Sequence, residues 1–154
     1  MDERAKLVEV LTDLVEINND RVAGYEQAAA QSKDIDADLH TIFHNMANDS
    51  RRYAAELTEE VNKLGKRVFR GEAIKGKIYQ IWKDLKATFS GYDRQSILES
   101  CEFGEDTVQK SYNAALASEI DAQTRVIITN QKAWLKTAHK MVKNYRNAHW
   151  KMIA

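Results

Sequence analysis

Residues 18–25 read NNDRVAGY, and residues 105–112 read EDTVQKSY. The two stretches lie at matching places in two long patterns with a constant offset of 87. Leu11 answers to Leu98, Asn18 to Glu105, Asn19 to Asp106, Tyr25 to Tyr112 and Ala28 to Ala115. In the first copy Leu7, Leu11, Leu14, Asn18, Val22, Tyr25 and Ala29 recur at steps of three and four, the spacing of one helix face. In the second copy Leu98, Cys101, Glu105, Val108, Tyr112 and Ala115 do the same. The repeat predicts a doubled helix pair with one polar residue per copy set into an apolar stripe.

Working outward, helix 1 is expected over about 2–31 and helix 3 over about 93–117, with Asp93 as its N-cap. Between them a second helical pattern runs over about 35–64, with Leu39, Ile42 or Phe43, Met46, Ser50, Tyr53, Leu57, Val61 and Leu64 on one face. Ser32 or Asp34 can cap it, and Gly65 supplies its stop, because glycine takes the left-handed conformation without steric cost. A fourth pattern runs from about Glu119 nearly to the end. Its face is Ile127, Ile128, Gln131, Leu135, Ala138, Val142, Tyr145, His149 and Met152. Ser118 and Asp121 resemble a capping box at its start. The connections after helices 1 and 3 are short, so each pair is an antiparallel hairpin. The connection of about 65–91 is long, basic at its start and carries a short helix (Ile74, Ile78, Ile81, Trp82, Leu85, Phe89). The expected fold is all-α: one four-helix-bundle domain over residues 1–154 with one long crossover.

The totals agree. The chain has 154 residues, no proline, 44% hydrophobic and 30% charged residues. That composition is too apolar for disorder, and proline-free sequence permits uninterrupted helices. Twenty-three basic residues balance twenty-three acidic ones, so no nucleic-acid partner is expected. The single cysteine, Cys101, excludes an internal disulfide and suits a reducing, cytoplasmic setting. No apolar run approaches the ~20 residues of a membrane span.

Each main helix also carries polar residues near mid-height of its stripe: Asn18; Ser50 with Tyr53; Glu105; Gln131 and His139, with Lys136 beside the last. Buried polar groups are costly unless hydrogen-bonded. The plain reading is therefore a hydrogen-bonded core network, and the sharper one is a shared site. A core residue followed seven positions later by Tyr, in helices 1 and 3 alike, resembles the ferritin and rubrerythrin pattern. The runs EINNDRVAGYEQAAA (from Glu16), SRRYAAEL (from Ser50), IWKDLKATFSGYDRQSILESCE (from Ile81) and ILESCEFGEDTVQKSYNAAL (from Ile97) are closer still. They resemble an uncharacterised bacterial family of ferritin-like four-helix bundles, a domain of unknown function distantly similar to rubrerythrin and bacterioferritin. The resemblance covers nearly the whole chain and implies the fold, but no established activity. A role in a bacterial stress response follows only by analogy.

In the wider superfamily, helices 1 and 3 each give a Glu and helices 2 and 4 each give a Glu-x-x-His pair, and together these hold two irons. Carried over, the motif falls on Asn18, on Ser50 and Tyr53, on Glu105, and on Lys136 and His139. Only Glu105 and His139 keep a ligand type. Two metal ions bring at least four positive charges, and one carboxylate cannot offset them. The site thus reads as a degenerate di-iron site with no catalytic residue and no expected cofactor. Glu105 is expected to pair with Lys136 or His139, or to accept bonds from Asn18 and Tyr53. Lys136 also belongs to a ladder with Lys132 and Lys140, so it can equally face outward.

Two other readings stay open. One is an iron-dependent oxidoreductase or a storage protein. It would bind iron or another divalent metal through Glu105 and His139, with Glu26 or Glu102 borrowed from neighbouring turns. The other concerns helix 4. Residues 122–154 hold seven basic residues and no acidic one, a face suited to an anionic partner or membrane surface. The simpler account pairs it with helix 1, which has seven acidic and three basic residues up to Gln31. Its end (Trp150, Met152, Ile153) could seed a homodimer. His40 and His44 stand one turn apart, a spacing that can chelate a metal, although two surface histidines are the plainer reading. Cys101 reads as a buried, inert thiol. The function expected is that of a non-catalytic structural or interaction protein.

Overall fold

The computed structural model describes residues 2–68 and 94–153, the last five as backbone alone. Within them the chain forms four helices: α1 (Glu3–Ser32), α2 (Ala37–Lys63), α3 (Arg94–Ala117) and α4 (Ala122–Ile153). The short crossover helix, the Asp93 cap and the side chains of Trp150, Met152 and Ile153 lie outside the described residues.

The ends are set by aspartates. Asp2 accepts from the Ala5 N–H at 2.7 Å. Asp36, rather than Ser32 or Asp34, caps α2 by accepting from Asp38 and Leu39 at 3.0 and 3.1 Å. Asp121 is itself the cap of α4, accepting from Thr124 at 2.7 Å, so that helix starts at Ala122 and not at Glu119. An aspartate one residue before the helix reaches the orphan N–H groups better than a serine further upstream. Gly65 ends α2 at φ +73°, and the Lys66 N–H reaches back to the Val61 carbonyl at 3.3 Å.

The apolar stripes meet as the spacing predicts. Leu11, Leu14, Tyr25 and Ala29 of α1, Leu39, Phe43, Leu57 and Val61 of α2, Leu98, Cys101, Val108 and Tyr112 of α3, and Ile128, Leu135 and Val142 of α4 are all buried. Each large side chain withdrawn from water contributes ~1.5–3 kcal/mol. Of the pair left open in the sequence, Phe43 is fully buried and Ile42 sits at the edge.

Arg94 fixes the topology. It opens α3, yet its Nε donates at 3.0 Å to Asp36 at the start of α2, and its Nη1 donates at 3.2 Å to the Tyr145 carbonyl on α4. The starts of α2 and α3 are therefore neighbours and the two helices run the same way. The end of α2 thus lies about 40 Å, one helix length, from the start of α3. Helix α1 packs against α2 and α3, while α4 packs against α3 and, more lightly, α2. Among the described residues α1 and α4 share no packed face. They stand on the diagonal, which corrects the expected charge pairing of helix 1 with helix 4. No described helix is long and apolar enough to cross a membrane.

Partial burial opposes ionisation of Asp36, but the Leu39 N–H and Arg94 outweigh it and hold the carboxyl below its usual range. Its stabilisation is complete above the unfolded value of ~3.9 and is lost as pH falls through the folded value. Asp36→Ala should cost about 1 kcal/mol at neutral pH. In urea melts across pH, the gap to wild type should close in acid; a gap independent of pH would contradict this role.

Candidate functional site

The centre of the bundle is a polar layer built from all four helices. Arg21 of α1 is 1% exposed and Glu105 of α3 is fully buried. The Arg21 Nε donates to Glu105 Oε1 at 2.5 Å. Its Nη1 donates to the Met46 carbonyl at 3.0 Å and to Ser50 Oγ at 2.7 Å, both on α2. The guanidinium carbon lies 4.8 Å from the centre of the Tyr25 ring, within cation–π range. The Tyr25 ring packs in turn on Phe43 at 5.6 Å.

From Ser50 the bonds continue in one direction. Its hydroxyl donates to Asn18 Oδ1 at 3.0 Å. Asn18 Nδ2 donates to the Leu14 carbonyl at 2.9 Å and to the Tyr112 hydroxyl at 2.8 Å. Tyr112 donates to Gln131 Oε1 at 2.7 Å. Gln131 Nε2 donates to Glu56 Oε1 at 2.8 Å and to the Tyr53 carbonyl at 3.3 Å. The chain thus runs from a buried cation to a carboxylate at the α2–α4 edge.

The repeat is visible in space. Asn18 meets Tyr112, and the equivalent residues Glu105 and Tyr25 also meet. Each polar residue faces the tyrosine of the other copy, with a 2.8 Å bond between Asn18 and Tyr112. Within the polar layer the copies also differ where Arg21 corresponds to Val108. The first copy is an amide plus a cation and the second a carboxylate plus an alkyl group.

Burial works against the Arg21 charge, but Glu105 beside it prevails and the guanidinium is held above its ordinary value. Burial, then the Glu105 charge, raises the Tyr25 phenol well above its usual range. Burial likewise raises Tyr112, although the bond from Asn18 favours its ionised form. Burial also raises Tyr53. The phenols are therefore neutral at working pH, and Tyr112 is a donor.

The structure brings Asn18, Ser50 and Glu105 together, along with Gln131. Tyr53 sits at the margin and contributes its carbonyl. Lys136 is exposed, on the outer ladder. His139 turns to the flank of α3, with Nε2 2.8 Å from the half-exposed Asp106. Neither is the expected partner of Glu105, because an α4 residue must stand at the Gln131 register to face the centre. Glu26 is engaged by Arg51 at 3.0 Å, and Glu102 by Arg146 at 2.6 Å. Neither joins Glu105. Cys101 is buried. Among the described residues no three His, Cys, Asp or Glu side chains converge as metal ligands.

Arg21 was not foreseen. Positions 21 and 22 both satisfy helical spacing from Asn18, and the apolar Val22 fits the stripe by type. The available signal was the unbalanced Glu105 charge in the opposing stripe.

Arg21→Met should destabilise the fold by about 3–5 kcal/mol, because it strands a buried carboxylate. The double variant Arg21→Met/Glu105→Leu should recover most of that loss. Urea unfolding of both proteins checks the pair; a double variant no more stable than Arg21→Met would contradict it.

The geometry can be set beside known proteins. The chain matches a mutant Dps1 of Mycobacterium smegmatis with a TM-score of 0.76 and 15% identity, over 95% of this chain and 99% of that one. It matches a ferritin-like, diiron-carboxylate protein from Bacillus anthracis str. Ames with a TM-score of 0.59 and 16% identity, over the full length of both. At these identities the likeness establishes the fold, a ferritin-like four-helix bundle. Among curated proteins no relative matches. The model of the domain of unknown function DUF2383 matches residues 6–118, from the first turn of α1 to the end of α3, and the chain belongs to that family.

Proposed function

We propose that this ferritin-like bundle has exchanged a two-metal cage for a protein-only charge pair, and that it works as a scaffold or interaction protein. The observation that carries this reading is the Arg21 guanidinium seated on Glu105 and Ser50. A di-iron cage needs several carboxylates converging on two cations. The donor set here is one carboxylate, an amide and a hydroxyl, with a fixed cation among them. A unit positive charge ~4 Å from that guanidinium is repelled by about 4 kcal/mol, even at an effective dielectric of 20. The residues present do not fit a pair of irons. The rival use of Glu105 with His139 is weakened by their separate partners, Arg21 and Asp106. Protein purified from iron-rich medium should carry no stoichiometric iron by elemental analysis. Two irons per chain, lost in Glu105→Ala, would overturn the proposal.

A second reading draws on α4. Lys132, Lys136, Lys140 and Lys143 form no ion pair among the described residues, whereas Arg146 is held by Glu102. The acidic α1 lies on the diagonal and does not neutralise them. On the α2-facing flank of the same helix, Trp134 is 65% and Met141 40% exposed. A basic ridge beside exposed apolar side chains suits an anionic partner. Binding to anionic vesicles should be measurable at low salt and vanish at ~1 M, where the screening length is about 3 Å. Equal binding to zwitterionic vesicles would remove this reading.

A further inference from the structure

His40 and His44 occupy successive turns of α2, away from the polar layer. Their rings stand edge to face with centroids 4.7 Å apart and planes at 88°. The spacing alone is weak evidence, because two histidines meet this way on many helix surfaces. What α1 does to them is more specific. The Nδ1 of His40 lies 2.6 Å from the Ala29 carbonyl. A carbonyl can only accept, so Nδ1 carries a proton, and in the neutral ring Nε2 keeps its lone pair. The Nδ1 of His44 faces the Glu26 carboxylate at 3.6 Å, an electrostatic contact that favours the same tautomer. The His40 ring is thus orientated by a bond to the neighbouring helix, and the His44 ring by a carboxylate charge beside it.

Metal-bound imidazoles are supported in this way: the nitrogen that does not bind the ion donates to a backbone carbonyl or a carboxylate. Here the same outer-shell arrangement is present on α1. Glu26 is itself fixed by Arg51 at 3.0 Å, and Arg51 by Asn48 at 2.6 Å. The His44 side chain is 45% exposed and that of Glu26 35%, so an ion has access from solvent.

We propose that His40 and His44 form a divalent transition-metal site, binding one ion through their two Nε2 atoms at the exposed α1–α2 edge. No third His, Cys, Asp or Glu joins them among the described residues, so water completes the coordination. Imidazole ligands suit copper(II), nickel(II) and zinc(II), and the order of divalent affinities places copper(II) first. The site is independent of the Arg21–Glu105 layer and does not depend on the function proposed above.

The test is titration of the untagged full chain with copper(II), nickel(II) and zinc(II) by calorimetry, together with the copper(II) electron paramagnetic resonance spectrum. The expected result is one ion per chain, tightest for copper(II), with splitting from two nitrogen ligands. Binding should be lost in His44→Ala, an exposed position where folding is not at risk, and kept in His139→Ala. Glu26→Gln should weaken it by ~10–100-fold, as loss of an outer-shell partner does. Binding unchanged in His44→Ala, loss in His139→Ala, a one-nitrogen spectrum, or no binding at all would each overturn the proposal.

Discussion

Two full charges, Arg21 and Glu105, lie side by side at the centre of this bundle and out of reach of water. Removing such groups from solvent costs several kcal/mol each, and their attraction compensates only when the remaining bonds are also made. The surrounding residues meet that demand on the guanidinium side. Ser50 and the Met46 carbonyl take the guanidinium protons, the Tyr25 ring covers its face, and Asn18, Tyr112 and Gln131 carry the bonds on to α4. The layer also specifies register. A slip of α1 by one turn displaces Arg21 by about 5.4 Å and leaves both charges buried without partners. The apolar stripes alone, built from leucines and alanines at repeated spacing, would resist such a slip less.

The layer also differs between the two halves. Each half offers a polar residue and, seven positions later, a tyrosine that serves the other half. This reciprocity holds although Asn18 and Glu105 differ in charge. The cation that balances Glu105 comes from the half that lacks a carboxylate. An internal ion pair thus links the two halves, Arg21 of α1 to Glu105 of α3.

Much of this was legible in the sequence. The stripes of α1 to α4 follow from the spacing of leucine, isoleucine and valine, and the repeat placed Asn18 and Glu105 at one height. The mid-bundle position of Gln131 and the stop at Gly65 were equally readable. What sequence could not give was the choice between neighbours on a helix. Arg21 and Val22 differ by 100° around α1, and only packing against α3 decides which one faces Glu105. The same ambiguity assigned weight to Lys136, which α4 turns outward, and to His139, which it turns to the flank of α3, in favour of Gln131. The diagonal placement of α1 and α4 was hidden too, because it depends on the direction of α3. That direction is revealed by one long-range bond, from Arg94 to Asp36.

The central claim is that the cation in the cage is arginine. Anomalous diffraction at the iron absorption edge, from crystals soaked in ferrous iron, tests it most directly. The account predicts planar guanidinium density against Glu105 and Ser50 and no anomalous peak between α1 and α3. One or two iron peaks bridged by Glu105, with Arg21 swung out of the core, would contradict it.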